Sequence, residues 1–253
     1  MKNTLIAFGI FVGIAVLVHL IYLGIIIPQA EQAMLAAIQN GQSVSRSWWV
    51  ILQDGEQEIC IILMLFGMYL IGQSLTRLWS ENYLFKVDLL AESDAEHHSL
   101  KEVLKDLGEL DEKIKSTPLV QTLSASLRRY LITNNVQNAS DAVTTSVDAL
   151  AVRIEAGNSM IRYMIWAIPS IGFIGTVRGI GAALSKADEA LAGDIVGMTA
   201  SLGVAFNSTL VALCISIVLM LLLHALQKMQ DELLVQTQDY CEKTLLERIS
   251  KTN

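Results

Sequence analysis

The sequence predicts an all-α integral membrane protein, with four transmembrane helices and a cytoplasmic helical domain formed by the segment between spans two and three and the C-terminal tail. Three observations carry that expectation. Of 253 residues, 53% are hydrophobic and only 17% charged, at a mean hydropathy of +0.47, too apolar for an ordinary soluble domain. Four stretches approach the roughly 20 apolar residues that a hydrocarbon core of ~30 Å demands of a helix. The lysines and arginines concentrate in one set of connecting segments, as orientation in a membrane requires.

The first stretch, Leu5–Ile27, follows Lys2 but exceeds the ~7–15 residues of a secretion-signal core, and no small-x-small cleavage site follows it. It reads as a retained anchor. The others are Ile59–Leu75, Ile161–Leu184 and Ile195–Ala225. The chain therefore divides into span one (1–27), a periplasmic loop (28–58), span two (59–76) and a cytoplasmic helical segment (77–160). Span three (161–184), a second periplasmic loop (185–194), span four (195–225) and a cytoplasmic tail (226–253) complete it. Orientation rests on Arg77, Lys86, Lys101, Lys105, Lys113, Lys115, Arg128, Arg129 and Arg153 in the middle segment, against Arg46 alone in the first loop. Lys228, Lys243, Arg248 and Lys251 put the tail on the same side, so both termini face the cytoplasm; the second loop sets Lys186 against Asp188, Glu189 and Asp194. Trp48, Trp49 and Trp79 fit interfacial belts, or are buried in local packing.

The cytoplasmic parts read as helices. Leu100, Val103, Leu104, Leu107, Leu110 and Ile114 recur at helical spacing, with Glu109–Lys113 and Asp111–Lys115 one turn apart. Thr117-Pro118 looks like a cap with proline at the first helical position, opening a run through Leu119, Leu123, Leu127 and Tyr130. Asn134, Asn135 and Asn138 mark a loop; Ser140-Asp141 opens a third run, Val143, Val147, Leu150 and Ile154, that meets no strong breaker before Gly157 and span three. In the tail Leu226, Met229, Leu233, Gln236 and Tyr240 recur at near-heptad spacing, and pack on the middle helices, on a neighbouring subunit, or on their own bundle as a surface helix.

Several function classes fall away. The net charge of −7 is segregated along the chain and no basic footprint for nucleic acid exists. Cys60, Cys214 and Cys241 have neither metal nor redox spacing and read as free thiols. Gly179-Ile180-Gly181 lacks the strand and lysine of a phosphate loop. No cofactor motif, nucleophile–base pair or metal cluster suggests an enzyme.

The chemistry lies in the last two spans. Gly172, Gly175 and Gly179 share one helical face with Thr176 at its margin, and Ser201, Ala205, Ser208, Ala212 and Ser216 form a matching stripe with Thr209 beside it. Small faces let helix backbones approach closely in lipid, and packing alone would account for the glycines. Thr176, Asn207, Ser208 and Thr209 are polar groups at membrane depth that must face protein or water. A hydroxyl can instead bond back to the carbonyl one turn earlier; the Asn207 amide has more donors and acceptors than one carbonyl satisfies, and is expected to face another helix or a wet path. None of the four apolar stretches holds an aspartate or glutamate, so a carboxylate for ion transfer would come from another polypeptide. His19, deep in span one, is either hydrogen-bonded to a neighbouring helix or a relay. Arg178 is within reach of the interface by snorkelling, or pairs with an acid of the outer loops such as Asp188, or of a partner. Pro169 should free a carbonyl, as shape or as a hinge.

IPSIGFIGTVRGI at Ile168–Ile180 resembles the third-span signature of the MotA/TolQ/ExbB family of inner-membrane ion-driven stators, and AFNSTLVAL at Ala205–Leu213 resembles its fourth-span threonine segment. The resemblance implies a homo-oligomer, a ring of five, around two copies of a single-span partner whose membrane aspartate takes up and releases H⁺ or Na⁺, in the bacterial inner membrane. It implies that Thr176 and Thr209 line the ion path and that Pro169 is the family's proline; it transfers no role to Asn207. No cofactor is implied beyond the translocated ion. Arg178 departs from the apolar or aromatic residue usual after GTV; the four-span layout is like the flagellar stators, whereas the third-span motif is closer to the Tol and Ton proteins. The expected function is thus ion flow coupled to rotation or force on the partner. The alternative is a non-conducting scaffold whose small helix faces only assemble a complex.

Overall fold

The computed structural model describes residues 2–39, 47–86, 100–193 and 195–246. All regular structure among them is helical, and four helices are long and apolar enough to cross a membrane. Arg46, Asp194, Arg248 and Lys251, counted above for orientation, lie outside the described residues.

The elements are α1 (Lys2–Ile21), a π-helical turn (Tyr22–Ile26), α2 (Ile27–Gln39), α3 (Trp48–Leu52), α4 (Gly55–Glu81) and a 3₁₀ turn (Asn82–Lys86). Then come α5 (Leu100–Glu109), α6 (Glu112–Lys115), α7 (Pro118–Thr133), α8 (Val136–Leu184), α9 (Ala187–Leu191), α10 (Val196–Tyr240) and a second π-helical turn (Cys241–Leu246). Much of the first predicted loop is thus helical. The chain forms two compact units, one of Met1–Gly72 with Met160–Leu223, the other of Gln73–Ser159 with His224–Asn253. Because α8 runs unbroken from Val136 to Leu184, the third amphipathic run and span three are one helix, as the lack of a breaker predicts.

In the second unit the helical periodicities become a core. Val103 and Leu107 of α5, Leu119, Leu123, Leu127 and Tyr130 of α7, and Val143 and Val147 of α8 are buried together with Cys241 and Leu245. The tail therefore packs on the middle helices of its own subunit, and the Phe85 and Tyr240 rings meet edge to face at 6.4 Å. Asn158 and Gln230 form a buried amide pair, Asn158 Nδ2 donating at 2.7 Å and Gln230 Nε2 returning a bond at 3.4 Å.

Three local expectations are corrected here. The helix breaks after Glu109 because the Asp111 carboxylate accepts from Lys113 N at 2.9 Å and caps α6. The ion pairs formed are Lys105–Glu109 at 3.7 Å and Lys115–Glu112 at 3.0 Å, in place of the predicted Glu109–Lys113, which would cross that break, and Asp111–Lys115, whose carboxylate is the cap. The Thr117 hydroxyl donates back to the Ile114 carbonyl at 2.6 Å rather than capping α7, leaving Pro118 as the start signal. Asn134 ends α7 in the left-handed region, φ 50°, and Asn135 accepts from Gln137 N at 2.8 Å to open α8, so Asn138 is helical. Trp48 and Trp79 are 76% and 68% exposed, against burial in local packing. All three cysteines are free thiols, Cys60 and Cys241 buried and Cys214 exposed.

Candidate functional site

In the first unit α8 and α10 meet along their small faces, antiparallel. Gly172 faces Ala212, Gly175 faces Ser208 and Gly179 faces Ala205. The approach leaves no room for a side chain: a methyl at Gly172 would overlap the Ala212 Cβ, one at Gly175 would lie 2.6 Å from the Ser208 Cβ, and one at Gly179 2.8 Å from the Ala205 nitrogen. Two backbones this close put side-chain hydroxyls within reach of the opposite helix's carbonyls.

The threonines use that reach. The Thr176 hydroxyl donates to the Ala205 carbonyl at 2.9 Å, the Thr209 hydroxyl donates to the Gly172 carbonyl at 3.2 Å, and the two hydroxyls share a hydrogen bond. The back-bond expected of an isolated threonine, Thr176 to the Gly172 carbonyl, is the longest of the set at 3.4 Å. Two hydroxyl protons thus serve more acceptors than they can satisfy at once, so the pair has alternative donor patterns, with oxygen lone pairs to spare. Both side chains are half-buried, one side of the pair being open in the single chain.

Pro169 lies inside α8 and deprives the Ile165 carbonyl of its helical donor. Ser216 of α10 supplies the replacement, donating to Ile165 O at 3.0 Å. The freed carbonyl expected from the sequence exists, and the stripe that seats the glycines also satisfies it. At the other end of the contact Lys186 Nζ donates to Ser201 Oγ at 3.2 Å and to the Gly197 carbonyl at 3.3 Å.

The remaining candidates are placed elsewhere. Ser208 is buried, donates to the Val204 carbonyl at 3.1 Å and accepts from Gln57 Nε2 at 3.4 Å. Asn207 stands two residues from Thr209, about 200° round the helix, half-buried and with no hydrogen-bond partner among the described residues.

A polar cluster absent from the sequence expectations lies where α4 begins. Arg178 Nε meets Glu56 Oε1 at 2.8 Å, and its Nη2 donates to Glu56 Oε2 at 2.9 Å and to Asp54 Oδ1 at 3.2 Å. Arg178 is therefore paired with acids of the first predicted loop, not with Asp188. His19 Nδ1 lies 2.8 Å from Glu58 Oε1, the bond to a neighbouring helix. Burial pushes the Asp54 carboxyl above the usual carboxylate range, against the pull of Arg178 beside it. The stretch 59–76 indeed lacks a carboxylate, but α4 starts a turn earlier and carries Glu56 and Glu58 in its first turn. The signal was present: Asp54 with Gln57 three residues on has the pattern of a helix start, and Gln57 N donates to the Asp54 carbonyl at 3.1 Å.

Among the described residues no group of His, Cys, Asp or Glu is arranged to hold a metal ion. Comparison with known proteins shows that the family model described as the MotA/TolQ/ExbB proton channel family fits residues 114–239. No curated protein and no solved structure matches.

Proposed function

The chain belongs to the MotA/TolQ/ExbB proton channel family, and from that premise we propose that it is the ring-forming subunit of an ion-driven motor complex of the bacterial inner membrane. In this reading five copies surround two copies of a single-span partner carrying a membrane aspartate, with the termini and the second unit on the cytoplasmic side. Flow of H⁺ or Na⁺ drives rotation or force on the partner.

The observation that supports the reading best is the Thr176–Thr209 pair. A hydroxyl both accepts and donates, so two in contact, open on one side and over-supplied with acceptors, can relay a proton or offer oxygen to a cation beside the partner's carboxylate. Ser208 and Asn207 have other work: Ser208 ties α10 to Gln57, and Asn207 is available to a neighbouring chain. The protein itself supplies no catalytic group and needs no cofactor in this scheme.

The seating of Gly172, Gly175 and Gly179 is equally what a non-conducting scaffold requires, so hydroxyl removal separates the readings. Thr176→Val and Thr209→Val keep the side-chain shape. Each is expected to leave the complex with its partner assembled, by native mass spectrometry, while gradient-driven ion flux into proteoliposomes falls at least about tenfold, ~1.4 kcal/mol of barrier. Full flux in both variants would defeat the channel reading and leave the scaffold.

A further inference from the structure

Two polar side chains of the first unit have no part in the threonine pair. Asn207 lies in the middle of an apolar helix with no hydrogen-bond partner among the described residues, and an amide left open to lipid is costly. Arg178 is its complement. Glu56 and Asp54 hold its Nε and Nη2, yet the side chain remains 55% exposed and Nη1 donates to nothing among the described residues. The amide oxygen lacks a donor, and the guanidinium has N–H groups to give.

Both residues stand at one level. The seats of Gly175 on Ser208 and of Gly179 on Ala205 bracket them: Arg178 falls between 175 and 179 on α8, and Asn207 between 205 and 208 on the antiparallel α10. Those two levels are about 6 Å apart along the helix. Within one chain, however, the two side chains do not meet. Each also lies two residues from a threonine of the pair, about 200° round its helix, and so is turned away from the side where the single-span partner would stand. The group that satisfies Asn207 is therefore neither a described residue of its own chain nor that partner, and lipid tails offer none.

A second copy of the chain does offer one. Copies related by rotation about an axis normal to the membrane keep every residue at its height, which brings Asn207 of one to the level of Arg178 of the next. We propose that Asn207 Oδ1 accepts a hydrogen bond from Arg178 Nη1 of the adjacent copy, a charge-assisted bond that fastens α10 of one subunit to α8 of its neighbour. Since the same guanidinium grips Glu56 and Asp54, the bond also ties the start of the neighbour's α4 to the joint. The inference rests on the ring reading and deepens it by naming the contact between copies.

The test begins with two differently tagged full-length chains, one Asn207→Cys and the other Arg178→Cys, co-expressed and treated in membranes with a short thiol-to-thiol reagent. Because each new cysteine is on a different chain, a cross-linked peptide between positions 207 and 178 joins two copies, and that peptide is expected. Native mass spectrometry then reads the strength of the contact. Asn207→Leu is expected to shift the equilibrium between ring and single copy about threefold or more toward the single copy, and Asn207→Asp in the opposite direction. In an Arg178→Gln background the Asn207→Asp gain should vanish. An intact ring of the two cysteine chains without the cross-link overturns the proposal, as does an Asn207→Asp gain that is absent, or that persists without the guanidinium; each leaves the ring reading standing. Where Arg178→Cys blocks assembly, the Asn207→Asp measurement decides alone. A wild type that runs only as single copies removes the ring itself, and this contact with it.

Discussion

The helices α8 and α10 hold the molecule together by two opposite means. In the second unit α8 contributes Val143 and Val147 to a core of leucines and valines, where stability comes from apolar area removed from water. In the first unit the same helix presents Gly172, Gly175 and Gly179 to the small residues of α10, and stability comes from close backbone approach and hydroxyl-to-carbonyl bonds. The difference follows the residues that each stretch of α8 presents. Where lipid surrounds a helix, burying a leucine gains little, whereas a backbone seated on a backbone with its polar groups satisfied gains packing that lipid cannot supply.

That contrast can be broken from either side. The largest expected effect is Leu123→Ala, in a site with 0% exposure, which should destabilise the second unit by about 2–5 kcal/mol. Hydrogen exchange should show faster exchange across Pro118–Thr133 with little change in the small-residue contact. Gly179→Val should cost about 1–3 kcal/mol or more, because its side chain must displace the Ala205 backbone; here exchange should quicken along Gly172–Leu184 and spare α7. If each substitution instead loosened both regions equally, the two means of packing would not be separable.

Ser216→Ala should have the smallest effect, about 1 kcal/mol in thermal unfolding, by leaving the Ile165 carbonyl without a donor. Restoring an N–H at the proline should cancel it: in a Pro169→Ala background, Ser216→Ala should be nearly neutral. Equal costs in both backgrounds would mean that Ser216 is held there for another reason.

The sequence made the two stripes legible because each is written at helical spacing within one element: Gly172, Gly175 and Gly179 on α8, and Ser201, Ala205, Ser208, Ala212 and Ser216 on α10. The core of the second unit was legible for the same reason. What periodicity could not report is pairing between distant positions. Asp54 and Glu56 meet Arg178 across 124 and 122 residues, and Gln57 meets Ser208 across 151. Their polar character made them look like loop, and so the start of α4 was set at Ile59 when the helix begins at Gly55. Asn207 illustrates the converse: proximity to Thr209 in sequence places it on the opposite side of the helix.

The buried amide pair of Asn158 and Gln230 has a mechanical meaning. An apolar seam tolerates axial creep, since one leucine is much like the next, but two amides that satisfy each other do so at one register only. A slip of a single helical turn would part them by about 5.4 Å and break both bonds. In the second unit the pair thereby fixes a single axial register between α8 and α10.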